Sequence, residues 1–294
     1  MTTTSLTANG VESLDHSSAS PAGPDLFELF TVAQMVDRIA DSAVEKAGQL
    51  WTFLVRSFVG GAMVSFGVLL SLMVSTGVSS PGVASLLMGL AFGMSFVLIL
   101  VSGMALITAD MATGAMAILQ RRLSAGRYLR LLLVGLVGNC AGALAFVTVC
   151  AAAGGPYLGA FAQRAAAIAA AKTSQPALTV VLLAIVCTWF LQTSMCMFFK
   201  ARSDVARMGF AFYGPFAFVS GATQHVIANI GFLGLPLLLA EFHTGAPHTA
   251  LSWGLATHGI LNNVLLTTIG NLIGGTVFVA LPFHVVARLQ RRAR

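Results

Sequence analysis

The sequence predicts an all-α integral membrane protein of six transmembrane helices, built as an inverted repeat whose second and fifth helices are broken. Three observations lead there. Of 294 residues, 57% are hydrophobic and only 9% charged, with mean hydropathy +0.87, which is too little polar surface to clothe a soluble globule. The apolar residues gather into runs that meet the roughly 20 residues a helical crossing needs. Two of those runs are too long for one helix, and both are interrupted by small and polar residues.

Residues 1–24, rich in Thr, Ser, Ala, Pro and Gly and without apolar periodicity, predict a disordered tail. No basic segment precedes an apolar core there, so no cleaved signal peptide is expected. Residues 25–50 predict an amphipathic helix. Asp25-Leu26-Phe27-Glu28 has capping-box form, and Leu29, Val32, Val36, Ile39, Ala43 and Leu50 recur at helical spacing opposite Glu28, Asp41, Glu45 and Lys46. Such a helix lies along the membrane surface or packs on the cytoplasmic loops.

The channel part is expected over 51–294, as repeats 51–153 and 177–290. Its crossings fall near 54–77, 83–121, 129–153, 177–199, 208–240 and 260–287. Arg121, Arg122, Arg127 and Arg130, then Lys200, Arg202 and Arg207, then Arg288, Arg291, Arg292 and Arg294 mark one side, whereas the alternate connections hold only Arg164, Lys172 and Glu241. Basic residues stay inside, so both termini are expected in the cytoplasm of a multi-pass cell-membrane protein. The net charge of +6 is thus a matter of topology, and nucleic acid is not an expected partner.

The interruptions run from Val101 to Asp110 and from Ser220 to Gln224, second in each set of three spans. Gly138-Asn139-Cys140-Ala141-Gly142 in the third span echoes Gly270-Asn271-Leu272-Ile273-Gly274 in the sixth, each a close-approach face carrying an Asn. Three spans separate the halves, so the second is inverted. Inverted repeats with matching helix breaks point to a transport site between them. The second break carries His225 with Gln224 and Asn229 beside it, and Pro215 and Gly221 are the expected breakers. A titratable side chain inside an apolar run is by default functional. Cys140, Cys150, Cys187 and Cys196 lack metal or redox spacing, and His243, His248 and His258 fit no metal site, so no metal or cofactor is expected.

The stretches Gly221-x-x-x-His225-x-x-Ala228-Asn229 and Gly103-x-x-Leu106-x-Thr108, the pair Gly138-Asn139, and Asn263 followed by Gly270-Asn271-x-x-Gly274-Gly275 resemble the formate/nitrite transporter family from about residue 27 to 290. The resemblance implies an aquaporin-like fold, a homopentamer with one pore per protomer, and passage of small monovalent anions such as formate, nitrite, hydrosulfide or lactate, often with protons. It implies that His225 is the central pore histidine, with Thr108 on the loop that interrupts the second helix. Phe92, Phe96, Leu106 and Phe218 would form the constriction, Lys172 the vestibule lysine, and Asn271 a polar pore position. Three positions depart from the family's pattern: Thr188 stands for its fourth-helix asparagine, Gln224 for the acid before the histidine, and Ala105 for the acid of the second-helix loop.

A bare anion in a dry constriction faces a large desolvation cost that its neutral acid does not, so the acid is the expected crossing form, with His225 donating a hydrogen bond or proton. Two other readings compete: a pore for a neutral solute, and a non-conducting sensor or organiser. An enzyme is not expected, because no nucleophile, base and orienting group fall together.

Overall fold

Long apolar runs fold as helices because a helix satisfies every backbone N–H and C=O within itself. The computed structural model describes residues 29–293, whose secondary structure is eleven α-helices with short 3₁₀ and π turns and two isolated bridge pairs. The tail expected over 1–24 and the capping box expected at Asp25–Glu28 lie outside the described residues. In chain order the helices are α1 (Val32–Gly48), α2 (Leu50–Ser75), α3 (Pro81–Val101), α4 (Ile107–Leu119), α5 (Ala125–Ala153), α6 (Ala160–Thr173), α7 (Ala177–Lys200), α8 (Asp204–Ser220), α9 (Val226–Phe242), α10 (Ile260–Gly275) and α11 (Leu281–Arg292). Among the described residues, α2, α3, α5, α7 and the run Ile260–Arg292 are long and apolar enough to cross a membrane, and α4 and α9 are shorter apolar helices. The protein is a multi-pass membrane protein.

α1 starts at Val32, later than the periodicity suggested, because Thr31 caps it. The Thr31 side chain accepts from the Gln34 N–H, and Gln34 Oε1 accepts from the Thr31 N–H at 2.9 Å, so the capping box is Thr31–Gln34. Leu29 instead pairs with Ala201 outside any helix. The stripe Met35, Val36 and Ile39 is buried against Ala115, Met116, Cys196, Val279, Ala280 and Ala287. Protein covers this face, and each of the three side chains contributes about 1.5–3 kcal/mol by burial.

The close-approach faces work as their small residues require. A methyl on Gly142 would strike the Phe58 carbonyl on α2, and one on Gly274 would lie 2.6 Å from the Ile185 carbonyl on α7. The α2–α5 and α7–α10 pairs therefore pack backbone to backbone, one pair in each half. The connection 154–176 contains α6, whose Phe161, Ala162, Ala165 and Ala169 are buried and which packs on α9. The π turn Thr276–Ala280 precedes Pro282, which has no N–H for the carbonyl four residues earlier.

Both long runs are broken inside the stretches expected, Val101–Asp110 and Ser220–Gln224, but in the second the bend is not at Pro215. α8 passes through Pro215 without stopping. Ser194 of α7 is wedged into the preceding turn, where its Oγ accepts from the Gly214 N–H at 3.0 Å and donates to the Phe210 carbonyl. A hydroxyl from the neighbouring helix thus bridges the weakened ladder.

Candidate functional site

The site is made by two breaks with the same construction. α3 closes with Met104 N–H bonded to the Ile99 carbonyl at 2.9 Å and Gly103 at φ 75°, and α8 closes with Thr223 N–H bonded to the Phe218 carbonyl at 3.1 Å and Ala222 at φ 51°. Each is a helix stop with one residue in the left-handed region. The second half places an alanine there, and Gly221, the expected breaker, keeps an ordinary φ of −80°.

An asparagine clamps each break. Asn139 Oδ1 accepts from the Ile107 N–H at 2.8 Å, while its Nδ2 donates to the Ala105 and Ser57 carbonyls at 2.9 and 2.6 Å. Asn271 Oδ1 accepts from the Val226 N–H at 2.9 Å, while its Nδ2 donates to the Gln224 and Ala184 carbonyls at 3.0 and 2.8 Å. Backbone groups freed by the breaks would be costly if left unpaired, and the two amides satisfy them. Asn271, implied by the resemblance as a polar pore position, is fully buried, with its amide hydrogen-bonded to backbone at the break.

His225 is the N-cap residue of α9 and caps it with its own ring. Nδ1 accepts from the Ala228 N–H at 3.1 Å, and Nε2 lies 3.0 Å from Thr108 Oγ1. An amide N–H only donates, so Nδ1 is bare and the neutral ring carries its proton on Nε2, facing Thr108. Thr108 sits in the first turn of α4, not on the loop before it, so the N-termini of α4 and α9 meet at this contact. Both present partial positive charge there. The imidazole stacks on Phe218, with centroids 4.9 Å apart, and meets the edge of Phe96 at 6.0 Å.

A cavity of about 170 Å³ reaches His225 and is lined by Gln224, Asn229, Phe218, Phe232, Thr223 and Lys172 among others. Phe92, Phe96, Leu106 and Phe218 are all buried, and Phe92 lies 5.4 Å from Phe218 and 6.5 Å from Phe232, ring centre to ring centre. Lys172 stands near the end of α6, donates from Nζ to the Thr223 carbonyl at 2.9 Å and lies over the Phe232 ring. Burial pushes its ammonium down to about 8, against the opposing pull of the Cys187 thiol. Gln224 Oε1 accepts from Asn229 Nδ2 at 2.6 Å, and its Nε2 donates to the Lys172 carbonyl at 3.2 Å. Thr188 is buried on α7 with its hydroxyl lacking a partner among the described residues, packed near Gly274 and Gly275.

Three residues take roles that were not foreseen. Gln192, one turn beyond Thr188, donates to the Thr108 carbonyl. Asn263 accepts from Asn229 Nδ2 at 2.7 Å. Lys46, expected on the open polar face of α1, reaches inward to the fully buried Asp110 at 2.6 Å, with Thr113 donating to the same oxygen at 3.2 Å. Each was visible as a polar residue in or beside an apolar run, but its partner lay far along the chain. His243 and His258 have separate partners, the Ala151 carbonyl and Thr173.

The family model described as "Formate/nitrite transporter" matches residues 33–285. Among similar proteins, the uncharacterized transporter YrhG of Bacillus subtilis is 29% identical over 271 residues, covering 88% of this chain and 95% of that protein. The nitrite transporter NirC of Salmonella typhimurium is 25% identical over 231 residues, covering 79% of this chain and 81% of its own. Among solved structures, an FNT family ion channel aligns with TM-score 0.77 at 23% identity, covering 86% of this chain and 98% of that one. A pentameric formate channel with formate bound aligns with TM-score 0.66 at 22% identity, covering 81% and 97%.

Proposed function

The chain belongs to the formate/nitrite transporter family, and on that premise we propose that it passes small monovalent anions of the formate and nitrite class through a pore in each protomer, crossing as the neutral acid past His225. The observation that carries this reading is the cavity ending on a neutral, Nε2-protonated imidazole, with the buried Phe92, Phe96 and Phe218 packed around it. The apolar runs support six crossings of the cell membrane, and the distribution of arginines supports cytoplasmic termini. A homopentamer is supported by the pentameric assembly of the aligned formate channel.

The steps follow from the residues. Lys172 raises the local concentration of anions in the cavity. As the anion leaves water for the walls of Phe218 and Phe232, desolvation raises its pKa and favours uptake of a proton from solvent. The Nε2–H of His225 and the Thr108 hydroxyl then supply hydrogen bonds to a neutral acid that the phenylalanines admit and an ion does not cross. Protonating the ring at Nδ1 would remove the cap of α9, so His225 acts as a hydrogen-bond donor of fixed tautomer.

Proteoliposome uptake of labelled formate and nitrite at two external pH values, with His225→Ala beside the unaltered protein, tests the proposal. Uptake should rise as external pH falls, accumulate along the pH gradient, and drop about tenfold or more in the variant, the worth of one hydrogen bond in a dry site. Permeation without accumulation would indicate a neutral-solute pore. No flux that depends on His225 would indicate a protein that does not conduct.

A further inference from the structure

The cavity that ends on His225 has a second cation in its wall. Along α6 its lining residues are Arg164, Ile168, Ala171 and Lys172, with Gln175 just past the helix end, so Arg164 and Lys172 share a stripe two turns, or about 12 Å, apart. Lys172 points to the second break, whereas Arg164 points to Ser75 at the end of α2 and Met88 on α3. Arg164 Nε donates to Ser75 Oγ at 3.1 Å and Nη2 to Met88 Sδ at 3.5 Å. A thioether is a weak acceptor, and a guanidinium has five N–H donors, so the remaining edge of the fork is open to a better partner. Among the described residues no carboxylate pairs with Arg164 or Lys172. Two cations in one largely apolar space, without an acid between them, are compensated by an anion.

Resting on the transport reading above, we propose that Arg164 is the first of two anion stations in this cavity, and that it selects planar two-oxygen anions, carboxylate or nitrite, before Lys172 passes them to His225. The chemistry differs between the two stations. A guanidinium edge meets two coplanar oxygens with parallel hydrogen bonds, whereas an ammonium is a point charge that accepts any small anion. A compact anion such as hydrosulfide gains only charge from either. Arg164 thus sets preference by shape and Lys172 holds anions by charge.

The test compares Arg164→Lys, which keeps the charge and loses the fork, with Arg164→Gln, which loses both. Initial uptake below saturation is measured for formate and for hydrosulfide, and the midpoint of thermal unfolding of the purified protein is measured in sodium formate against sodium chloride at equal ionic strength. For Arg164→Lys we expect formate uptake to fall about 5–10-fold, hydrosulfide uptake to stay within about twofold, and the formate-specific rise in midpoint to disappear. For Arg164→Gln both uptakes should fall. Equal losses of both anions in Arg164→Lys, or formate uptake within about twofold of the unaltered protein, would overturn the assignment. If the unaltered protein transports neither anion yet its midpoint responds to formate through Arg164, the transport reading fails and the anion station stands.

Discussion

His225 uses its two ring nitrogens for different purposes, and the two are separable by substitution. Nδ1 holds the α9 N-terminus and Nε2 faces Thr108. His225→Ala loses both, at about 1 kcal/mol for the cap, whereas His225→Asn restores a side-chain acceptor at a cap position that favours it. Thermal unfolding should show Asn recovering most of the stability that Ala loses, while formate uptake stays as low as in Ala. Recovery of uptake with Asn would mean that the ring is scaffold only. Lys172 carries the pH dependence of the cavity. Its ammonium, held near 8 against an ordinary 10.5, is charged below that value and neutral above it, so anion recruitment is lost as external pH rises through about 8. Beside it stands Cys187 of α7, across the cavity is His225 with Nδ1 accepting from a backbone amide, and Arg164 lies two turns away on its own helix. At a fixed pH gradient, apparent KM for formate should rise above pH 8 in the unaltered protein and stay flat in Lys172→Arg, whose guanidinium does not titrate.

At the scale of elements, the breaks are the repeated unit, and the sequence marks the wrong residues in one of them. Pro215 and Gly221 look like breakers, yet α8 continues through the first, helped by Ser194, and the second keeps a right-handed φ. The left-handed residue is Ala222, where a Cβ costs about 1 kcal/mol. Ala222→Gly should therefore stabilise the protein by up to about 1 kcal/mol, and Gly103→Ala, at the equivalent place in the other half, should destabilise it by a similar amount. Chemical or thermal unfolding of both variants reads the sign, and two shifts of the same direction would contradict the equivalence of the breaks. Asn139 and Asn271 belong to this scale too. Their recurrence beside the glycines was legible, but their task was not, because the amide partners of each lie on a break and on a third helix 32 to 87 residues away in sequence.

Across the whole molecule, charge is arranged differently on the two sides of the breaks. α1 is strapped to the rest by Arg291–Asp37 at 2.6 Å, by Arg122–Asp41, and by Lys46–Asp110, whereas the cavity beside α6 keeps Arg164 and Lys172 without an acid. Removing one member of the buried Lys46–Asp110 pair should cost about 3–5 kcal/mol, while replacing both by apolar residues of similar size should cost much less. Thermal unfolding of Asp110→Leu, Lys46→Met and the double variant checks this, and a double variant less stable than both singles would show the pair to be net stabilising. The sequence by itself determined the membrane class, the inverted halves, the matched interruptions and the histidine between them, because hydropathy, helix-contact spacing and intramembrane polar residues are local signals. Only the tertiary structure decided which residue bends at each break, that Asn271 faces backbone, that Lys46 turns inward to Asp110, and that a helix places Arg164 in the same cavity as Lys172. Those outcomes depend on distant chain segments meeting in a low-dielectric interior, where each polar group takes whichever partner the packing brings within reach.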